Sequence, residues 1–121
     1  MKTVDKFMTD PLDYFDRSVT KMHSIEPADL ERLQRSAMKI RVADHIKNIE
    51  LVTNLAERLG ISSVDEFNDV VPLFFSHTAF KSYPSSLIDK KRWDLMTKWM
   101  QKLTTYDLSK VDTSQCDSLD E

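Results

Sequence analysis

Three side chains within seven residues could do chemistry together: His77, Lys81 and Tyr83, an imidazole, a cation and a phenol. They sit in the run Val71-Pro72-Leu73-Phe74-Phe75-Ser76-His77-Thr78-Ala79-Phe80-Lys81-Ser82-Tyr83-Pro84, the least periodic and most aromatic stretch of the chain. Such a set suits an anionic ligand or a partner chain, and loops on a rigid scaffold commonly carry that kind of role. The structural alternative has Phe74, Phe75, Phe80 and Tyr83 pinning the loop to a helical core, with His77 and Lys81 satisfying nearby carbonyls. We read residues 71–86 as a docking or ligand-facing element, scaffolding rather than catalytic, with Phe74, Phe75, His77, Phe80, Lys81 and Tyr83 as its candidate residues.

Other chemistry is thin. His23, His45 and His77 are far apart in sequence and far from the single cysteine, Cys116, so no metal-ligand spacing exists. His45, between Asp44 and Ile46, reads as a surface or boundary residue of a helix. Cys116 has Asp117 beside it in an acidic stretch, which opposes the thiolate that a nucleophile needs. With one glycine in the whole chain, Gly60, no glycine-rich phosphate cradle can be built, and the Walker, dinucleotide and nucleophile-elbow motifs are all missing. The sequence thus supplies no catalytic, cofactor-binding or metal-binding residue.

Composition narrows the class. The chain has 121 residues, 40% hydrophobic and 31% charged, enough for one ordinary globular core. Its net charge is −3, and five acids from Asp107 onward against Lys110 alone put −4 in the tail and +1 in the rest. That balance argues against nucleic acid as a partner. Lys90, Lys91, Arg92, Lys98 and Lys102 beside Trp93 and Trp99 read instead as the solvated face of an amphipathic helix. One cysteine allows no internal disulfide, no stretch approaches the length of a membrane span, and the first residues lack an apolar signal core. The expectation is a cytoplasmic protein without membrane partners; oligomeric state is not legible.

The positioning elements read as helices. Asp10-Pro11 marks a helix start, followed by Leu12, Phe15, Val19 and Met22 at steps of three and four, ending near His23. Val4, Phe7 and Met8 suggest a short turn before it. Pro27 to Leu59 reads as a second helical run stopped by Gly60, 33 residues or about 50 Å long. Its apolar phase changes between Ile40 and Val42, so either it breaks near Arg41–Asp44 or its two halves bury different faces. Without a proline or glycine there, the continuous helix is preferred. Ser63-Val64-Asp65-Glu66 has capping-box form and opens a short helix bounded by Pro72. Ser85 and Ser86 suit a turn, Asp89 suits the cap of a last helix, and Trp93, Met96, Met100 and Leu103 give that helix its apolar face.

These readings add up to an all-α fold, one domain of about four or five helices over residues 1–105, with an aromatic-rich loop. Residues 106–121 form an acidic polar tail or connector, expected to be mobile, with Leu108, Val111 and Leu119 as its aliphatic anchors. The expected core is Leu12, Phe15, Val19, Leu30, Leu33, Ile40, Ile46, Ile49, Leu55, Phe67, Trp93, Met96 and Met100.

One resemblance goes further than the physics. The run Leu73 to Leu87 with its His77-Thr78-Ala79-Phe80-Lys81-Ser82-Tyr83-Pro84 signature, the Trp93 to Trp99 helix and Leu103-Thr104-Thr105-Tyr106-Asp107-Leu108-Ser109 together resemble a segment near the start of bacterial adenylate-forming enzymes. These are the relatives of phenylacetate-CoA ligase and acyl-protein synthetase. The likeness covers residues 71–119. It implies an N-terminal region, or a remnant, of an ATP-dependent ligase that activates a carboxylate as acyl-AMP. ATP would then be expected only in the full-length enzyme, whose phosphate loop and adenylate motifs follow this region and are not in this chain, so no catalytic residue carries over. The implied partner is the remainder of the enzyme, and the region would support the fold or wall an acyl site. Two other readings stand beside it: an independent helical module that binds another protein, and a small enzyme using His77 and Tyr83.

Overall fold

The computed structural model describes residues 3–118. Leu119, Asp120 and Glu121, which include one expected tail anchor and two of its acids, lie outside the described residues. Every regular element among the described residues is helical, so the all-α class holds. Eight α-helices appear there: α1 (Val4–Thr9), α2 (Pro11–Tyr14), α3 (Val19–Ser24), α4 (Pro27–Asn48), α5 (Glu50–Leu59), α6 (Phe67–Val70), α7 (Ser85–Asp89) and α8 (Trp93–Gln101). Short 3-10 turns span Val71–Leu73 and Ala79–Lys81. The chain groups into two compact units, Met1–Asp44 with Ser63–Val71, and His45–Ser62 with Pro72–Glu121.

In the first unit the caps fall where side-chain chemistry puts them. Thr3 and Asp10 accept the N–H groups of Lys6 and Asp13, the latter at 2.9 Å, and Pro11 takes the first position of α2. The single helix expected from Leu12 to His23 is instead two. Asp16 and Arg17 both take left-handed backbone, at φ 53° and 55°, and this pair breaks the helical phase between Tyr14 and Val19. The stripe therefore does not stay on one face: Leu12 is 52% exposed and Val19 67%. Phe15 remains half-buried because it joins Phe7 and Tyr14 in an edge-to-face cluster with ring centres 5.0–6.4 Å apart. Lys6–Asp13, Arg17–Asp10 and Lys21–Asp16 ion pairs lie over this corner.

The run after Pro27 is not the continuous helix preferred from sequence: it breaks, and does so at Ile49 rather than near Arg41–Asp44. Ile49 is extended (φ −108°, ψ 110°), with neither proline nor glycine to force it. Burial is the reason: Ile49, Val52 and Ala56 are all buried, the last only 1% exposed, whereas no residue of α4 is buried. A continuous helix would hold the phase of α4, and the break lets α5 turn its own apolar face inward. Gly60 ends α5 as expected, at φ 69°, and its N–H reaches the carbonyls of Ala56 and Glu57.

Two further caps move. The short helix opens at Glu66, not Ser63, because Asp69 Oδ2 reaches back to the N–H groups of Glu66 (2.8 Å) and Asp65 (3.1 Å). Residues 63–65 stay non-helical, with Val64 buried and Asp65 and Glu66 paired to Lys39 and Arg35 of α4. Asp89 is the last residue of α7 and not the cap of α8, whose N-cap is Arg92. Of the expected core, Ile49 and Met96 are buried, while Ile40, Phe67 and Met100 are exposed and Leu30, Leu33, Ile46, Leu55 and Trp93 are half-buried. Val52, Ala56, Val64 and Leu73 take the buried places.

A Cβ added at Gly60 meets nothing within 4 Å, so substitution there costs backbone strain alone. Gly60→Ala is expected to lower stability by about 1 kcal/mol, read from the urea midpoint at unchanged slope.

Candidate functional site

The loop that carries the candidate residues is built from its own hydroxyls. Ser76 Oγ lies 2.9 Å from Thr78 Oγ1 and accepts the Thr78 N–H, and the Ser76 carbonyl accepts from Ala79 N–H. Thr78's carbonyl takes both Lys81 N–H and the Ser82 hydroxyl, the latter at 2.6 Å. Ser76, Thr78 and Ser82 thus satisfy a double turn and present His77 and Lys81 outward. Both are exposed, and neither side chain makes a hydrogen bond or ion pair among the described residues. The expected pairing of His77 and Lys81 with nearby carbonyls is therefore not made. The backbone of Phe80 lies in the Ala79–Lys81 turn, and its side chain is outside the described set.

The aromatic residues divide between two grooves of the second unit. Leu73 is buried and Phe75 half-buried, and with Phe74, His45, Ile49, Val52 and Leu103 they line a depression of about 370 Å³. Phe74 is 69% exposed, so it does not pin the loop. Tyr83 lines a second groove of about 560 Å³, with Met96, Trp99 and Met100 of α8 and Leu103, Thr104, Tyr106 and Leu108 beyond it. Its walls are almost entirely apolar. Neither His77 nor Lys81 lines the groove that Tyr83 enters. Among the described residues no group of three metal-ligating side chains forms.

The polar stretch after α8 is fastened where a mobile tail was expected. Gln101 Nε2 donates to the Tyr106 carbonyl at 2.6 Å, and its Oε1 accepts the Leu108 N–H at 2.7 Å. Asp107 Oδ1 accepts the Ser109 hydroxyl (2.5 Å) and N–H (3.0 Å), Asp112 accepts the Ser114 N–H (2.9 Å), and Lys91 meets Asp117 at 2.8 Å. Gln101 was missed from sequence because its only signal is one amide beside the apolar positions of α8. The half-buried Cys116 lines a further groove of about 400 Å³ with Trp93, Met96 and Met100.

No protein-family model matches this chain, and neither a curated protein nor a solved structure does.

The aspartates give the fastened segment an acid limit. The hydroxyl and N–H of Ser109 hold Asp107 below its ordinary value of 3.8, the N–H and hydroxyl of Ser114 do so for Asp112, and Lys91 does so for Asp117. A carboxyl whose folded pKa is lowered adds stability that is complete above the unfolded value and is lost as pH falls through the folded one. The Ser109 and Ser114 amide resonances should hold position from about pH 6 to about pH 4 and move toward unstructured values below that. Unchanged positions down to about pH 2 would remove these carboxylates from the role.

Proposed function

We propose that this chain is a non-catalytic helical N-terminal region of an adenylate-forming acyl ligase, one that activates a carboxylate as acyl-AMP with ATP bound elsewhere in the enzyme. The observation that carries the reading is the state of the loop that bears the resemblance. Its hydroxyls are spent on its own turns, yet it offers Phe74 to solvent beside an apolar depression. An aromatic ring held out by a self-bonded turn suits a docking element better than a catalytic one. The remainder of the ligase is the partner this reading names, and the cytoplasm is the compartment that fits an ATP-dependent enzyme of this kind. No helix among the described residues is long and apolar enough to cross a membrane.

On this reading the chain alone supports no ATP–pyrophosphate exchange with aliphatic or aromatic carboxylates. The natural reading frame, or the one beside it, encodes a Ser/Thr/Gly-rich phosphate loop. Phe74→Ala leaves the chain's stability within about 0.5 kcal/mol, since the ring is exposed, and weakens its association with the adenylating part, measured by calorimetry. Exchange activity in the isolated chain, or a frame that closes with no adenylating protein encoded beside it, defeats the proposal.

A further inference from the structure

Residues 104–118 run beside α8 without regular secondary structure, and among the described residues two chemically different clasps join them to the α7–α8 region. The near clasp is the Gln101 amide, neutral and used at both ends, on Tyr106 and Leu108. The far clasp is the Lys91–Asp117 ion pair, whose side chains are 61% and 81% exposed. Between them the fit is loose. Open grooves of about 560, 400 and 310 Å³ lie along the junction of α8 with this segment. Along these open grooves the segment and α8 do not touch, so the contacts that hold the two surfaces together are interrupted.

The segment also carries much of its own hydrogen bonding. Ser109 and Ser114 donate to Asp107 and Asp112, Val111 donates to the Leu108 carbonyl and Cys116 to that of Thr113. Those turns do not need α8 to exist. We infer that residues 104–118 form a strap that lifts from α8 as a unit, while the rest of the second unit stays folded, and so uncovers Trp93 and Met96. Opening the strap makes the buried Met96 and the half-buried Trp93 of α8 accessible to solvent. The inference stands independently of the ligase proposal, because it rests only on the clasps and the grooves.

Hydrogen–deuterium exchange on the full chain tests it. In the unmodified protein the Leu108, Val111 and Cys116 amides exchange more slowly than in a free peptide but faster than those of α8. Gln101→Leu keeps the apolar stem and removes both near-clasp bonds. It speeds exchange across 104–118 at least about tenfold and leaves α8 within about twofold of its original rate. Lys91→Ala gives the second arm, speeding residues 113–118 with α8 again unmoved. About 1 M salt, which shortens the screening length to about 3 Å, reproduces that effect. If Gln101→Leu loses its helical circular dichroism, Lys91→Ala decides on the same readout. Strap and α8 accelerating together, strap amides already at α8's rate, or no change in a folded variant each overturns the inference.

Discussion

The second unit depends on the break at Ile49. Ending α4 there strips carbonyls of their helical partners, and opening α5 one residue later exposes fresh N–H groups. The sequence repairs both. The Thr53 hydroxyl turns back to the Ile46 carbonyl at 2.5 Å, with the Ile49 carbonyl at 3.1 Å. Leu51's N–H finds the carbonyl of Lys102 just past α8, at 3.3 Å, and Glu50 lies 3.7 Å from the Lys102 ammonium. The start of one helix thereby satisfies the end of another, and opposite backbone partial charges meet. With the break repaired, Ile49, Val52 and Ala56 can be buried.

The first unit is organised by charge more than by burial. Arg35 is the hub of α4: it pairs with Glu31 and Glu66 and stands over the Phe67 ring at 5.9 Å. Lys39, one turn on, takes Asp65. Exposed pairs of this kind contribute little each, so their effect here is to fix where residues 65–67 lie rather than to hold the unit together. Asp69, whose carboxyl the Glu66 and Asp65 N–H groups keep below its usual range, completes that local order.

The helical class was legible because glycine is so scarce and apolar residues recur at helical steps. Single-residue stops and starts with their own chemistry were legible too: Asp10-Pro11, Pro27 and Gly60 each act as their side chains or backbone freedom dictate. What was not legible is whatever long-range burial decides. Nothing local distinguishes Ile49 from Ile46 as a breaking point, and nothing local predicts left-handed backbone at Asp16 and Arg17. The same holds for the loop. Its aromatic content was plain, but the sorting of Phe74 to solvent, Phe75 to one groove and Tyr83 to another follows from turns closed by Ser76, Thr78 and Ser82.

Asp10 closes one helix and opens the next: its N–H bonds the Lys6 carbonyl at the end of α1 while its carboxylate caps α2. A corner made from one residue has no slack. Neither helix can be lengthened, shortened or slid by a residue without losing a bond on the other side. The Phe7, Tyr14 and Phe15 rings sit across that corner and would fall out of register with it. Change in this part of the chain is therefore restricted to exchange of side chains, because insertion and deletion are geometrically closed to it.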